Sequence, residues 1–387
     1  MNVIKREMFS ELKRCASFFP VVTILGPRQS GKTTLAKSFF KNHSYINLED
    51  PEFYDIAKND INGFFNMIKT PVIIDEVQRV PELLSKIQVL SDKSKRKGEF
   101  ILTGSFQQGL KSAVSQSLAG RTAILNLLPF SIHELESHNF KFSRDELLYQ
   151  GFMPRLYSEG QPADLLYRSY FQTYVERDVQ TILNVKNKDK FEKFLKLLAG
   201  RIGQIVNYES LANDTGISST TIAQWISILE SSFIIFKLEP FFENYTKRLV
   251  KSPKIYFYEP GLVSYLLGIK NPEQAERDPL IGNLFENMVV VDILKNQYAK
   301  GHEKSLYYFC DSKGFEIDLI IADGRKIIPV EIKSAATFNK DFSANLKKFA
   351  KFSSDIQNPT VIYSGETELE TEGIQYMNFR NCGRLIN

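Results

Sequence analysis

Short apolar runs alternate with segments of helical spacing along the first 130 residues of the chain. Residues 18–25 and 71–76 each contain a continuous β-branched run, which is typical of parallel strands buried on both faces. Residues 34–40 between them carry apolar side chains at helical spacing. Further strands are predicted at 44–49, 99–105 and 123–128. This alternation predicts an α/β domain built on a parallel sheet.

The pattern changes after residue 140. Helical spacing continues to about residue 200 and is followed, at 201–245, by a helix, a glycine turn, a second helix and a strand. This order is typical of a winged helix-turn-helix. Near the carboxyl terminus, two strands at 316–321 and 327–333 flank a polar turn, which is a strong hairpin signal.

Composition narrows the class of protein. With 387 residues the chain has room for two or three domains, and a net charge of +4 does not by itself demand a nucleic-acid partner. The three cysteines are isolated, so we expect neither a disulfide framework nor a zinc site. Neither a signal peptide nor an apolar run of membrane-spanning length is present in the sequence. These features predict a cytoplasmic protein with no membrane partner.

Residues 26–33, GPRQSGKT, fit the phosphate-binding loop pattern G-x-x-x-x-G-K-[ST]. Gly26 and Gly31 allow backbone N–H groups to curl round an anion, and Lys32 reaches the β and γ phosphates. The Thr33 hydroxyl suits Mg²⁺, and a helix beginning near Lys32 would direct its dipole at the same phosphates. The nucleotide-binding residues expected here are Gly26, Pro27, Arg28, Gln29, Ser30, Gly31, Lys32, Thr33 and Thr34.

Two carboxylates end the apolar run at 71–76 and complete the predicted nucleotide site. Asp75, at the carboxyl edge of a parallel sheet, would hold Mg²⁺, and Glu76 would act as general base for an attacking water. Thr103 and Ser105 end the next strand and are candidates to sense the γ phosphate. Arg121 either stabilises transition-state charge, in cis or from a neighbouring subunit, or is a surface arginine.

A second set of polar residues lies on the carboxyl-terminal hairpin. Strand periodicity places Asp318 on one face of the first strand and places Glu331 and Lys333 together on the second. This is the PD-(D/E)XK nuclease arrangement, in which two carboxylates hold Mg²⁺ and the lysine orients a water or offsets phosphate charge. Glu286, on a predicted helix upstream, would be a third metal-binding acid. An ordinary amphipathic hairpin is the alternative.

The predicted helix-turn-helix lacks the charges expected of a DNA-binding surface. Neither Lys nor Arg occurs between residues 201 and 237, whereas recognition helices normally have cations nearby to neutralise phosphates. A basic cluster follows only after the predicted wing, at Lys247, Arg248, Lys251 and Lys254. The pattern therefore favours a packing or protein-contact module over DNA reading.

Taken together, these motifs resemble those of bacterial and archaeal AAA-type ATPases that carry a carboxyl-terminal domain of unknown function with a restriction-endonuclease-like core. The segments that carry the resemblance are GPRQSGKTT, IIDEVQRVPELL, ILTGS, LAGR, YVERDV, GNLFENMVV, EIDLII and PVEIKS. One departure is Glu259 before Pro260-Gly261, where the family usually has Asp. The resemblance implies an AAA-type P-loop ATPase domain at 1–140, a helical linker and winged helix at 141–255, and a PD-(D/E)XK nuclease-like α/β domain at 256–387.

The leading hypothesis is a Mg²⁺-dependent ATPase whose nucleotide state regulates the nuclease-like domain. ATP is preferred over GTP because the sequence has no guanine-reading N/T-K-x-D run at the expected place. The alternatives are an active ATP-regulated DNA nuclease of the defence type and a winged-helix nucleic-acid binder that does not cleave. A small-molecule kinase is disfavoured because Glu76 directly follows Asp75. The sequence leaves open a DNA or protein partner and an oligomeric assembly.

Overall fold

A computed structural model describes residues 4–105, 114, 116–179, 188–241, 251–351 and 355–386, with the backbone alone for 176–179. Lys247 and Arg248 of the predicted basic cluster lie outside this description. The chain divides into two compact units. Unit 1 comprises Met1–Phe130, Ser231–Phe233 and Gln297–His302, and unit 2 comprises the remaining residues.

Unit 1 contains a five-stranded parallel sheet with helices between its strands. Its elements in chain order are α1 Phe9–Phe18, β1 Val21–Leu25, α2 Lys32–Phe39, β2 Ser44–Asn47, α3 Pro51–Asn59, α4 Ile61–Met67, β3 Val72–Asp75, a 3-10 turn Val77–Arg79, α5 Leu83–Ser94, β4 Phe100–Gly104 and β5 Thr122–Asn126. The predicted strands and the parallel α/β sheet are confirmed, with bounds that differ by a few residues.

The strand order in this sheet is β2-β3-β4-β1-β5. The strand β4 therefore lies between β1, which leads into the phosphate loop, and β3, which ends at Asp75. Every residue of β1, β3 and β4 is buried, which accounts for their continuous apolar sequences. As a result the carboxyl ends of three neighbouring strands meet at one edge of the sheet.

Unit 2 holds a second, eight-stranded sheet, of order β12-β13-β11-β10-β9-β8-β6-β7. Its strands are β6 Ile235–Pro240, β7 Lys254–Phe257, β8 Leu306–Cys310, β9 Glu316–Asp323, β10 Lys326–Lys333, β11 Thr360–Tyr363, β12 Leu369–Thr371 and β13 Ile374–Asn378. The predicted hairpin is confirmed: β9 pairs antiparallel with β10 through a turn in which Gly324 has a φ of 63°.

Helices make up most of the rest of unit 2. They are α6 Ile132–Glu136, α7 Arg144–Gln150, α8 Pro154–Ser158, α9 Ala163–Tyr170, a π-helix Phe171–Val179, α10 Lys188–Ala199, α11 Tyr208–Thr215, α12 Ser219–Ser231, α13 Pro260–Leu267, α14 Pro272–Arg277, α15 Ile281–Ala299, α16 Ala344–Phe349, and 3-10 turns at Lys340–Ser343 and Phe379–Leu385. None of the helices in the described ranges is both long and apolar enough to span a membrane.

The segment predicted to be a winged helix-turn-helix contains two helices, a glycine turn and a strand. Helices α11 and α12 flank Gly216, which has a left-handed φ of 67°. The strand predicted as a wing is β6, which pairs antiparallel with β7 and parallel with β8. Because β6 pairs with two strands of the eight-stranded sheet, it is part of the core of unit 2.

Glu259, the departure from the related sequences, caps a buried helix. Its side chain accepts hydrogen bonds from the Phe152 and Gly261 N–H groups at 2.8 and 3.3 Å, and from the Tyr167 hydroxyl at 2.8 Å. Only 3% of Glu259 is exposed. The residue thus connects α13 to the segment after α7, which is a structural role.

Candidate functional site

The predicted phosphate loop connects β1 to α2 at the carboxyl edge of the parallel sheet in unit 1. Gly26 and Gly31 have φ angles of 158° and 92°, which residues other than glycine rarely adopt. A Cβ atom on Gly26 would stand 2.0 Å from the Leu127 carbonyl oxygen. Both glycines are therefore required by the backbone path, as the motif predicts.

Lys32 opens α2 and bends back over the loop. Its ammonium donates to the carbonyl oxygens of Gly26 at 3.0 Å and Pro27 at 2.8 Å. Burial lowers the pKa of this lysine to about 8, although Glu76 and Asp75 act in the opposite direction. A buried ammonium held only by neutral carbonyls keeps its charge available for an anion such as a phosphate group.

Three hydroxyl groups converge on the Asp75 carboxylate. Thr33 donates at 2.7 Å and Tyr45 at 2.9 Å, both to Oδ2, and Thr103 donates to Oδ1. Only 4% of Asp75 is exposed. Hydroxyls orient the carboxylate without neutralising it, so Asp75 and Thr33 together offer the oxygen ligands that Mg²⁺ prefers. The set fits the predicted magnesium site.

Tyr45 has no counterpart in the predicted site. It lies on β2, whose residues pair in parallel with β3, and this pairing carries its hydroxyl to Asp75. Burial raises the pKa of Tyr45 above its usual value, and the neighbouring Asp75 adds to the rise, so the phenol stays a donor. A lone tyrosine on an edge strand gives no sequence signal for this contact.

Glu76 follows β3 in a left-handed conformation, with a φ of 55°. Its carboxylate accepts a hydrogen bond from the Ser105 hydroxyl at 2.9 Å and one from the Gln78 side-chain amide. Its backbone N–H donates to Thr103 Oγ1 at 3.4 Å. The two predicted polar residues at the end of β4 thus contact the two predicted acids, Thr103 on Asp75 and Ser105 on Glu76.

A buried arginine from the start of the chain also reaches the loop. Arg6 donates to the Ser30 carbonyl at 2.9 Å and to the Leu128 carbonyl at 2.6 Å. Its guanidinium also stacks over the Phe130 ring, 4.9 Å from the centroid. Arg6 therefore ties the phosphate loop to the segment after β5, a contact that sequence spacing does not reveal.

The other predicted loop residues lie in the same turn with different exposure. Arg28 is half-buried and faces Glu49 at 3.5 Å, and Thr34 is exposed on α2. Ser30 is fully buried, whereas Gln29 is exposed and has a left-handed φ of 65°. Of these residues, Gln29 and Thr34 thus face solvent.

Arg121 is not brought to the nucleotide edge of its own sheet. Its carbonyl accepts from Val21 N–H at the amino end of β1, the opposite end from the phosphate loop. Its guanidinium pairs with the exposed Asp92 at 2.6 Å. A role in cis is therefore set aside, because the length of β1 separates Arg121 from Lys32.

In unit 2 the predicted nuclease-like residues come together on β9 and β10. The Lys333 ammonium donates to Asp318 at 3.2 Å and to Glu331 at 2.6 Å. Asp318 also accepts from the Ile332 N–H at 2.8 Å. Burial raises the pKa of Glu331 to about 8, and the charge of Asp318 adds to the rise. The hairpin thus forms a compact group of two acids and one lysine.

Glu286, on α15, is paired with a lysine that the sequence did not single out as a site residue. Lys254, at the start of β7, lies 3.1 Å from Glu286 and 2.5 Å from Glu316. Burial raises the pKa of Glu286 to about 7, with a further rise from Asp318 and an opposing effect of Lys254. The Tyr256 hydroxyl also donates to Glu286.

The three acids predicted as metal ligands, Glu286, Asp318 and Glu331, are not assembled as one ligand set. Within the described part of the chain, no group of three or more His, Cys, Asp or Glu side chains is placed to hold a metal ion. The physical reason is the pair of lysines, Lys254 and Lys333, each of which stands between two carboxylates. A smaller set, Asp318 with Glu331, remains.

Comparison with known families agrees with the geometry of unit 1. Residues 19–136 match the family model described as AAA domain. Residues 142–273 match Domain of unknown function (DUF8612), and residues 281–382 match Domain of unknown function (DUF4143). The nucleotide site, apart from Arg6, thus lies within the AAA match.

Relatives over most of the chain are themselves uncharacterized. A protein of Mycobacterium tuberculosis is 28% identical over 340 residues, covering 87% of this chain and 75% of the relative. A protein of Haemophilus influenzae is 23% identical over 359 residues, covering 84% of this chain and 85% of the relative. Neither relative assigns a function to this chain.

Solved structures give weaker likenesses. The Walker-type ATPase of Pyrococcus abyssi is 14% identical, with a TM-score of 0.45, covering 68% of this chain and 96% of that one. DnaA from Aquifex aeolicus, bound to AMPPCP, is 17% identical, with a TM-score of 0.29, covering 58% and 86%. At these scores neither carries an argument. The family match and the motif together show that residues 19–136 form an AAA-type P-loop ATPase domain.

Proposed function

We propose that the protein is a Mg²⁺-dependent ATPase whose nucleotide state regulates its carboxyl-terminal domain. The observation that carries the ATPase proposal is the Asp75 carboxylate at the end of β3, which accepts hydrogen bonds from Thr33 at the start of α2 and from Thr103 on β4, the strand next to β1. Its charge is oriented but not neutralised, and the Lys32 ammonium is likewise held by neutral groups. Both charges are thus available to a Mg²⁺-nucleotide.

The residues divide the work of hydrolysis between them. The loop N–H groups and Lys32 bind the phosphates and offset the charge that develops on them. Mg²⁺, held by Thr33 and Asp75, would supply Lewis-acid polarisation of the phosphate oxygens. Glu76 accepts a proton from the attacking water once its carboxylate leaves Ser105 and Gln78, and Thr103 keeps Asp75 oriented.

The test separates binding from turnover. Lys32→Ala removes the buried charge and is expected to abolish ATP binding, whereas Glu76→Gln keeps binding and stops hydrolysis. Binding is measured with a fluorescent ATP analogue and turnover by phosphate release, with the exposed Lys41→Ala as matched control. A nucleotide affinity in Lys32→Ala equal to that of the wild-type protein would contradict the ATPase proposal.

Regulation of the carboxyl-terminal domain has its own test. If nucleotide state acts on that domain, ATP should change the hydrogen exchange of residues 303–351 in the wild-type chain. The change should be absent in Lys32→Ala. Exchange in this segment that is the same with and without ATP would reject regulation while leaving the ATPase proposal intact.

A second candidate function is DNA cleavage by the cluster on β9 and β10. It is favoured by the convergence of Asp318, Glu331 and Lys333 within hydrogen-bonding distance. The protein with Mg²⁺ or Mn²⁺ is tested on linear, circular and single-stranded DNA and on RNA. Cleavage no higher than that of the Asp318→Ala, Lys333→Ala double variant would show that the cluster does not act as a nuclease.

Nucleic-acid binding through α11 and α12 is the remaining proposal, and the charges favour it least. Helix α12 carries neither Lys nor Arg. If it bound DNA through phosphates elsewhere on the segment, affinity would fall steeply with salt concentration. A flat response between low and physiological salt, measured by fluorescence anisotropy, would exclude it.

A further inference from the structure

Gln78 lies directly against Glu76, the acid that is proposed as the general base. It belongs to the 3-10 turn Val77–Arg79, which follows the left-handed backbone of Glu76. The Gln78 side-chain amide donates to the Glu76 carboxylate and, at 3.3 Å, to the Ser105 hydroxyl. Gln78 thus stands between the ends of the neighbouring strands β3 and β4, at the edge of the sheet that holds the phosphate loop.

The nitrogen and the oxygen of this amide are used differently. The nitrogen has two acceptors, whereas the oxygen is buried and has no hydrogen-bond partner among the residues that the structure describes. Turning the amide over would not satisfy the oxygen, because it would then face the Glu76 carboxylate, which is also an acceptor. A buried amide oxygen without a donor carries the full cost of its desolvation. The Gln78 oxygen therefore favours a donor from outside the chain.

ATP hydrolysis would bring such a donor to this point. An attacking water has two hydrogens, of which the general base takes one. The other must also be held if a lone pair of the water is to stay directed at the phosphorus. The Gln78 oxygen lies beside Glu76 and carries no charge, so it can hold this hydrogen without competing for the proton.

We propose that Gln78 orients the attacking water, with its amide oxygen accepting one hydrogen while Glu76 takes the other. The water oxygen bonds to the γ phosphorus, and the bond from that phosphorus to ADP breaks with its electron pair on ADP. One proton passes to Glu76, and the hydrogen held by Gln78 leaves with the phosphate. The inference rests on the ATPase function proposed above and adds Gln78 to its catalytic residues.

The experiment uses Gln78→Met, which keeps the length of the side chain and removes both polar atoms. Binding of fluorescent ADP is measured with beryllium fluoride, which imitates bound ATP, and with aluminium fluoride, which imitates the transition state together with its in-line water. The first affinity should stay within about twofold of wild type, whereas the second, and kcat, should fall by about tenfold or more. Gln88→Met, on a half-buried glutamine of α5, is the matched control.

Three results with Gln78→Met would overturn the proposal. Wild-type affinity for both complexes would show that the Gln78 oxygen does not meet the water. Equal losses of affinity for both complexes would show that Gln78 supports the site as a whole. Turnover at or above the wild-type level would show that Gln78 merely fastens Glu76 in the resting protein.

A shorter amide covers the case in which Gln78→Met does not fold. Gln78→Asn keeps both polar atoms but withdraws them by about 1.5 Å, the length of one carbon–carbon bond. A displacement of this size should weaken the aluminium fluoride complex and spare the beryllium fluoride complex. Unchanged binding of the aluminium fluoride complex would reject the role of Gln78 alone, whereas a wild-type chain that does not hydrolyse ATP would reject the ATPase proposal and this inference with it.

Discussion

The two carboxylate clusters differ in what holds the acids. In unit 1, Asp75 is held by the hydroxyls of Thr33, Tyr45 and Thr103. In unit 2, Asp318 and Glu331 are held by the ammonium of Lys333. A hydroxyl fixes a carboxylate in place and leaves its charge, whereas an ammonium also cancels that charge. The first cluster keeps its negative charge, whereas the charge of the second is offset by a lysine.

The lysines of the two clusters also differ in their hydrogen-bond partners and in the direction of their pKa shifts. Lys32 donates to the two carbonyls of Gly26 and Pro27, and burial lowers its pKa to about 8. Burial also acts to lower the pKa of Lys254 and Lys333, but their carboxylate neighbours raise both above the usual value. The lysine of the phosphate loop is therefore held by neutral groups, and the two lysines of unit 2 are held by acids.

The largest expected effect comes from breaking the lysine-held cluster. Lys254→Met removes a buried ammonium from Glu286, whose side chain is 13% exposed, and from Glu316, whose side chain is 33% exposed, and should lower the free energy of unfolding by about 3–5 kcal/mol. Lys333→Met should cost less, about 1–3 kcal/mol, because that side chain is one third exposed although its partner Glu331 is buried. Urea unfolding followed by the fluorescence of Trp225, the only tryptophan, reports on unit 2. Equal losses of unfolding free energy in the two variants would contradict the expected difference between Lys254 and Lys333.

The pH dependence of ATP binding sharpens the comparison between lysines. Phosphates favour the charged form of Lys32, so its pKa is higher in the complex than the value of about 8 in the free protein. Affinity is therefore full below pH 8 and should fall by about tenfold per pH unit above it. The measurement is the ATP dissociation constant from pH 7 to 9.5. Lys32→Arg, which stays charged, should remove this dependence.

A smaller effect tests the hydroxyl-held cluster. Tyr45→Phe removes one donor to Asp75, worth about 1 kcal/mol, and should raise the Mg²⁺ concentration for half-maximal hydrolysis by about fivefold. Nucleotide affinity without Mg²⁺ should stay the same. Tyr54→Phe is the matched control, because the Tyr54 hydroxyl accepts a hydrogen bond from the exposed Lys58 at 3.1 Å. Loss of nucleotide affinity without Mg²⁺ would show that Tyr45 acts elsewhere.

The smallest effect is expected at an ion pair outside both clusters. Arg121→Ala removes an exposed pair with Asp92 at the amino edge of the sheet and should change ATP turnover by less than about twofold. If a neighbouring subunit supplied this arginine to the site, turnover would fall on the order of 1,000-fold. Phosphate release measured over a range of protein concentrations distinguishes the two results.

Contiguous motifs made much of the first unit predictable. The phosphate loop and Asp75 sit directly on strands whose apolar runs identify them, so sequence spacing alone locates them. Tyr45 and Lys254 reach their acids only through strand pairing and tertiary packing. Tyr45 lies 30 residues from Asp75 and Lys254 lies 32 residues from Glu286. No local pattern carries that information.

Arg121 shows the opposite failure. Its position shortly after the strand with Thr103 suggested an approach to phosphate, but the chain crosses back before β5 begins. Every parallel strand restarts at the amino edge, so a residue just before β5 stands at the wrong end of the sheet. Sequence distance from a motif therefore says little about which edge a residue reaches.

The contact of Arg6 with the phosphate loop bears on where the working domain starts. The AAA match begins at residue 19, yet Arg6 bonds to the loop at Ser30 and to the carbonyl of Leu128. A shortened chain cut to the match would keep every motif residue and lose this anchor. Trimming such proteins by their recognised borders would remove this anchor together with Leu12 and Cys15 of α1, which pack in the core of the sheet.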